Sequence, residues 1–256
     1  MSFAPKVPLS PWPYPRWIAH RGAGKLAPEN TLAAFRLGAS HGFRMFECDV
    51  TLSADGEPFL LHDADLGRTT SGTGPACART WGELARLDAG SWHSPAHAGE
   101  PLVHLQTLAH WLQSERLMVN LEIKPSPGQE DLTGEVVARE AARCWAGQAI
   151  PPLLSSFKVA ALQSAMRTAP DLPRALLLEE LKEGWLDEAL ALGCVAVVGH
   201  HPRLSAEAIG QAHAAGLKVL TYTVNDVARA DALWAAGLDG LITDRVDLFD
   251  PSTSPG

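Results

Sequence analysis

The chain has 256 residues, 46% apolar and 20% charged, which is enough for one barrel-sized domain with a full core. Its net charge of −8, from 21 basic and 29 acidic side chains, argues against a nucleic-acid partner but leaves room for a small phosphorylated ligand met by a local cation cluster. No window approaches the roughly 18 apolar residues of a membrane span. The four cysteines, at 48, 77, 144 and 194, form no CxxC pair and so speak against a disulfide framework or structural zinc.

The start, "MSFAPKVPLSPWPYPRW", is proline-rich and lacks an apolar run long enough for a secretion signal, so a cytoplasmic protein without stable membrane association is expected. "RWIAH" at 16–20 reads as the first strand, followed by a helix over 31–41 and a second strand, "FRMFECDV", at 43–50. Six further strands follow: "LMVNLEIK" (117–124), "PLLSS" (152–156), "RALLL" (174–178), "CVAVVG" (194–199), "KVLTYTV" (218–224) and "GLITD" (240–244). Helical patterns at 104–115, 132–145, 158–168, 185–192, 205–215 and 226–236 separate them. Gly42, Gly193, Gly216 and Gly237 stand where helices should end. Eight strands alternating with helices predict an α/β fold, the TIM (β/α)8 barrel, with residues 1–256 forming a single domain.

Two segments interrupt the alternation. "TLSADGEPFLL" reads as a β-hairpin excursion turning at Asp55-Gly56, a register that sets Asp49 opposite His62. Residues from about 64 to 103, rich in Gly, Thr, Ser and Trp, are too long for a simple loop and read as a small insertion over one mouth of the barrel.

The chemistry gathers at strand ends. Glu47 and Asp49 are two apart on one strand and so share a face, as do Glu122 and Lys124 on the next barrel strand. Strand C-termini converge on the barrel mouth, where Glu47, Asp49 and Glu122 would meet. Such carboxylates can be paired with nearby Arg or Lys. Three together in apolar strands point instead to an oxygen-only cation site, suited to Mg²⁺ or Ca²⁺ rather than zinc. His20 and His62 flank that site and suit proton transfer near neutral pH, while Arg21 and Lys124 suit phosphate. "GAGK" at 22–25 lacks the full spacing of a phosphate loop. Asn30 is placed to cap helix 31–41, and Glu29 to partner Arg21 or a metal.

Taken together, "HRG" (20–22), "PENT" (28–31), "ECD" (47–49), "LHD" (61–63), "EIK" (122–124), "SSF" (155–157), "YTVN" (222–225) and "GLITD" (240–244) resemble the glycerophosphodiester phosphodiesterases, in the family's order over nearly the whole chain. The longer runs "PYPRWIAHRGAGKLAPENTLAAF", "DAGSW" and "PPLLSSF" are similar to the cytoplasmic bacterial branch associated with glycerol-3-phosphate uptake. The resemblance implies a TIM barrel with a small insertion. It also implies hydrolysis of a glycerophosphodiester to sn-glycerol 3-phosphate and an alcohol, using a divalent cation. It carries the metal ligands to Glu47, Asp49 and Glu122, the acid and base to His20 and His62, and phosphate binding to Arg21 and Lys124. It favours attack by the substrate's own 2-hydroxyl, through a cyclic phosphate, over direct attack by water. Two competing readings are a phospholipase-type phosphodiesterase with the same barrel chemistry and a non-catalytic barrel that binds phosphate esters. The acidic chain offers little of the basic or apolar surface that the phospholipase needs. A barrel without catalysis would have no need of both histidines.

Overall fold

A computed structural model describes residues 12–252, so most of the proline-rich start lies outside the described residues. Strand β1 (Trp17–Ala19) leads through α1 (Leu32–Ser40) to β2 (Met45–Leu52), which folds back onto β3 (Pro58–Leu60). A short α2 (Trp81–Leu84) follows, and α3 (Leu105–Ser114) returns the chain to the barrel. The remainder runs β4 (Met118–Ile123), α4 (Glu130–Cys144), β5 (Leu153–Ser156), α5 (Val159–Thr168), β6 (Arg174–Leu178), α6 (Trp185–Ala191), β7 (Ala196–His200), α7 (Ala206–Ala214), β8 (Lys218–Tyr222), α8 (Val227–Ala235) and β9 (Gly240–Thr243).

All strands but β3 are parallel and close in the order β1-β9-β8-β7-β6-β5-β4-β2, sealed by the β1–β2 pair. This is the expected TIM barrel, and each barrel strand and helix ends within two residues of its sequence-based bounds. The glycines placed at helix ends have φ of +87° (Gly42), +60° (Gly193), +81° (Gly216) and +95° (Gly237), the left-handed cap that frees the last carbonyls for bonding. No helix follows β9 among the described residues. There Phe249 stacks on Trp17 with ring centroids 4.7 Å apart, and Trp234 meets the same ring edge-on.

Side chains alternate along a strand, so every barrel strand divides between two cores. Ile18, Met45, Leu153, Ala175, Val198, Leu220 and Ile242 point inward and fill the lumen as one cluster. Their outward neighbours, among them Phe46, Val119, Leu176 and Leu241, join the larger cluster beneath the helices. Tyr14 closes the end where the strands begin, its hydroxyl donating to the Pro151 carbonyl at 2.9 Å. The lumen is therefore a packed core up to its C-terminal mouth, where polar side chains take over.

The hairpin register differs from the expected one by one residue. The ladder pairs Val50 with Leu60 and Leu52 with Pro58, so Asp49 faces Leu61 rather than His62. The turn is the cause. A two-residue turn of the favoured type needs positive φ at both central positions, and here only Gly56 (φ +81°) adopts it. Asp55 is instead tied to Ser53 Oγ at 2.6 Å and to the Trp81 N–H at 2.8 Å, which makes residues 54–56 a three-residue loop. His62, one residue past the ladder, still turns into the mouth. Residues 64–103 pack onto Phe59 and Leu61 at the hairpin through Leu66, Leu84 and Leu102, a small core apart from the other two. Asp88 knits that segment together by accepting from the N–H groups of Gly90, Ser91 and Gly99.

Candidate active site

The register that closes the barrel also assembles the acids. Asp49 lies opposite Glu122 and Glu47 opposite Asn120 across the β2–β4 pair, and all four point inward at the mouth. Oxygens of Glu47, Asp49 and Glu122 come within 4.8 Å of one another, with all three residues buried. Cys48, between the two acids, points outward into the helix-side core and takes no part. His20, Arg21, Glu47, His62, Glu122 and Lys124 line a common cavity of about 270 Å³, to which Phe157, Leu177, Tyr222 and Ile242 add apolar lining.

Each histidine is held from behind by an aspartate. His20 Nδ1 lies 2.7 Å from Asp244 Oδ1, and His62 Nδ1 lies 2.6 Å from Asp63 Oδ1. A carboxylate only accepts, so Nδ1 carries the hydrogen in both rings and Nε2 is left for proton exchange. His20 Nε2 sits 3.7 Å from Glu47 Oε2. Asp244 is fixed in turn by Asn225, whose Nδ2 donates to Oδ2 at 2.9 Å and whose Oδ1 accepts the Asp244 N–H at 2.8 Å. Burial lowers the His62 pKa below its ordinary value; Asp49 opposes this, while Arg21 and Lys124 add to it.

The two cations sit on the acids. Lys124 Nζ is 3.1 Å from Glu122 Oε1 and 3.4 Å from Asp49 Oδ1. Arg21 Nη1 donates to Glu29 at 2.9 Å, and its Nε lies 3.1 Å from Asp49 Oδ2 without hydrogen-bond alignment. The turn that places Arg21 is unusual. Arg21 has φ +49° and Gly22 φ +100°, and a Cβ on Gly22 would come within 2.7 Å of Ala34. A Cβ on Gly24 would lie 2.2 Å from the Asp244 backbone, so "GAG" is glycine-rich for close packing.

Asn30 does not cap α1. Thr31 does so, accepting from the Ala34 N–H at 3.3 Å. Asn30, at φ +60°, grips Asp49 from both ends, Nδ2 donating to Oδ2 at 2.9 Å and Oδ1 accepting the Asp49 N–H at 3.3 Å. Glu29 partners Arg21 and also takes two bonds from Arg68, which reaches on to Asp63. Sequence reasoning gave no role to Asp63, Arg68, Asn120, Asn225 or Asp244. Asp244 had a signal in its position just past a barrel strand, where functional residues concentrate.

Charge is unevenly settled here. Burial works against ionised Asp49, but Arg21, Lys124, His62 and the Asn30 bond outweigh it and hold the carboxyl well below the usual range. Glu122 is pushed up to about 7 by burial and by Asp49. Burial and both neighbouring acids push Glu47 well above its ordinary value, and its Oε1 is buried without a hydrogen-bond partner among the described residues. Two cations thus settle Asp49, whereas the Arg21 charge and the Arg21 N–H, 3.3 Å from Glu47 Oε2, do not offset the burial of Glu47. An orphaned buried carboxylate oxygen within reach of two others fits a hard divalent cation.

The chain matches the model of the glycerophosphoryl diester phosphodiesterase family over residues 20–248. YhdW of Bacillus subtilis is 33% identical over 238 residues, 91% of this chain and 95% of the relative. A glycerophosphodiester phosphodiesterase of Caldanaerobacter subterraneus is 31% identical over 241 residues, 92% of this chain and 94% of the relative. Among solved structures, an Oleispira antarctica phosphodiesterase in complex with the product sn-glycerol-3-phosphate superposes with a TM-score of 0.84 at 34% identity, covering 90% of this chain and 93% of that one. Barrel, mouth and kinship agree: the chain belongs to the glycerophosphoryl diester phosphodiesterase family.

Proposed function

We propose that this enzyme hydrolyses water-soluble glycerophosphodiesters to sn-glycerol 3-phosphate and an alcohol, with Mg²⁺ or Ca²⁺ held by Glu47, Asp49 and Glu122. The observation that carries the cation reading is the buried acid cluster with its unpartnered Glu47 oxygen, beside two aspartate-anchored histidines. The product bound in the Oleispira neighbour supports the same product here. A cation held by the cluster would neutralise charge at the phosphoryl oxygens, a contribution of several kcal/mol. Arg21 and Lys124, at the same wall of the cavity, bind the phosphate and offset its charge. One histidine takes the proton from the attacking hydroxyl, that of the glycerol or of water. The other returns a proton to the departing alkoxide, so the P–O bond to the alcohol breaks as the new one forms. Attack by water gives sn-glycerol 3-phosphate at once, whereas attack by the glycerol hydroxyl gives a cyclic phosphate that water then opens, the two histidines exchanging roles.

This reading treats residues 1–256 as one catalytic domain, with the 64–103 insertion part of its mouth. It places the protein in the cytoplasm, which suits its four free cysteines. It gives the protein a small diester rather than a nucleic acid or a bilayer as partner, and the acidic balance and the lack of a membrane-crossing helix among the described residues support this. The test is release of glycerol 3-phosphate from glycerophosphocholine in a coupled dehydrogenase assay, with EDTA and then with added Mg²⁺ or Ca²⁺. Product that disappears with EDTA and returns with a cation is expected. No product with any cation or head group would overturn the proposal, and cleavage of intact bilayer lipid in preference to soluble esters would favour a phospholipase.

A further inference from the structure

Two asparagines are buried beside the acid cluster, and only one of them is satisfied. Asn30, 3% exposed, spends both ends of its amide on Asp49. Asn120, 1% exposed, has no hydrogen-bond partner for either Oδ1 or Nδ2 among the described residues. Leaving a buried amide unsatisfied is destabilising. Inward positions at comparable depth on other strands, such as Leu177, Val198 and Ile242, are apolar, so packing alone does not ask for an amide here. Asn120 lines the cavity together with Glu47 and Glu122. It sits directly across the β2–β4 pair from Glu47 and two residues before Glu122 on the same face.

An amide oxygen is a ligand for hard cations. It adds a donor without adding a fourth negative charge where three carboxylates already crowd within 4.8 Å. With neither end bonded among the described residues, the amide oxygen is available to the acids and Nδ2 to the unpartnered Glu47 Oε1. We propose that Asn120 is a fourth protein oxygen ligand of the divalent-cation site formed by Glu47, Asp49 and Glu122. This deepens the cation reading above and rests on it.

The test reads metal binding directly on the full chain. Isothermal titration with Mg²⁺ and Ca²⁺ is compared for the wild type, Asn120→Leu, Asn120→Ala, Asn120→Asp and Asp49→Asn, each checked for folding by its metal-free melting curve. Loss of the amide should weaken cation binding by about 10- to 100-fold, the scale seen when a supporting group of a metal site is removed. Asn120→Asp, which keeps an oxygen, should bind within a few-fold of the wild type or more tightly. Europium luminescence lifetimes in H₂O and D₂O should count one more bound water in Asn120→Ala. Without metal, Asn120→Leu should melt no lower than the wild type, because it removes an unsatisfied amide. Wild-type affinity and water count in Asn120→Leu and Asn120→Ala would overturn the proposal. So would an Asn120→Asp protein as weak as Asn120→Leu. If Asp49→Asn alone loses binding, the cation reading stands without Asn120; if the wild type binds no cation, both fall.

Discussion

Replacing Asp244 by asparagine removes the charge behind His20 while keeping the shape of the side chain. The contact at stake is the 2.7 Å bond from His20 Nδ1. A hydrogen bond to a charged group is worth about 1.5–3 kcal/mol net, and each 1.36 kcal/mol is tenfold in rate, so its loss alone costs turnover about 10- to 150-fold. The surroundings predict more. Asn225 Oδ1 accepts from the backbone N–H of residue 244 at 2.8 Å and from Thr243 Oγ1 at 3.1 Å, which commits Nδ2 of Asn225 to donating toward Asp244. A new amide at 244 would give its oxygen to that donor and turn its NH₂ toward His20. His20 Nδ1 would then have to accept, and Nε2 would carry the proton in the wrong tautomer. The comparable change behind the histidine of a serine-protease triad costs about 10⁴-fold. Turnover of Asp244→Asn, followed by glycerol 3-phosphate release, should therefore fall between about 10-fold and 10⁴-fold with little change in KM. Cation affinity by calorimetry should hold, since Asp244 lies outside the acid cluster. Turnover within twofold of the wild type would refute the reasoning.

Other perturbations follow from the same contacts. Asn30→Ala strips Asp49 of a buried donor and should cost about 1–3 kcal/mol, read as a lower urea midpoint with unchanged slope; an unchanged midpoint would mean that the pair is not held as described. Gly24→Ala sets a Cβ 2.2 Å from the Asp244 backbone at a φ of +58°, so activity should drop because His20 loses its support. A fully active Gly24→Ala enzyme would count against that close approach. Asp239, near the strand starts, accepts from Lys218 Nζ, His213 Nε2 and the Val219 N–H. Burial opposes its ionisation, but these bonds outweigh it and depress its pKa. A depressed carboxyl contributes stability above its unfolded pKa of about 3.9 and loses it as pH falls through the folded value. The stability gap between the wild type and Asp239→Asn should thus be full at pH 7 and shrink below about pH 4. A gap independent of pH in chemical denaturation would refute it.

The fold could be read from the sequence because its signals are local. Val, Leu and Ile runs such as "RALLL" mark strands and glycines such as Gly216 mark helix ends within a few residues of chain. The acids were legible for the same reason, since Glu47 and Asp49 stand two apart on one strand and share its face. What escaped depends on neighbours far along the chain or on turn geometry. Asp244 meets His20 across 224 positions, a pairing that exists only because the barrel closes. Asn30 carries a helix-cap signature, but a positive φ hands its side chain to Asp49 and the cap to Thr31. The one-residue hairpin error came from reading Asp55-Gly56 as the whole turn, whereas the side chain of Asp55 is engaged by Ser53 and Trp81.

The closing seam of the barrel runs through the proposed catalytic machinery. β1 is three residues long and is held to β9 by the pairs Trp17–Leu241, Ile18–Ile242 and Ala19–Thr243, and the next residues on either side are His20 and Asp244. Fraying of this short seam would separate the histidine from its aspartate while the helices and the other strand pairs stay formed. Catalysis is then an early alarm for barrel opening: on slow heating, activity should vanish before far-ultraviolet dichroism changes, and a clamp across the ends of β1 and β9 should bring the two temperatures together.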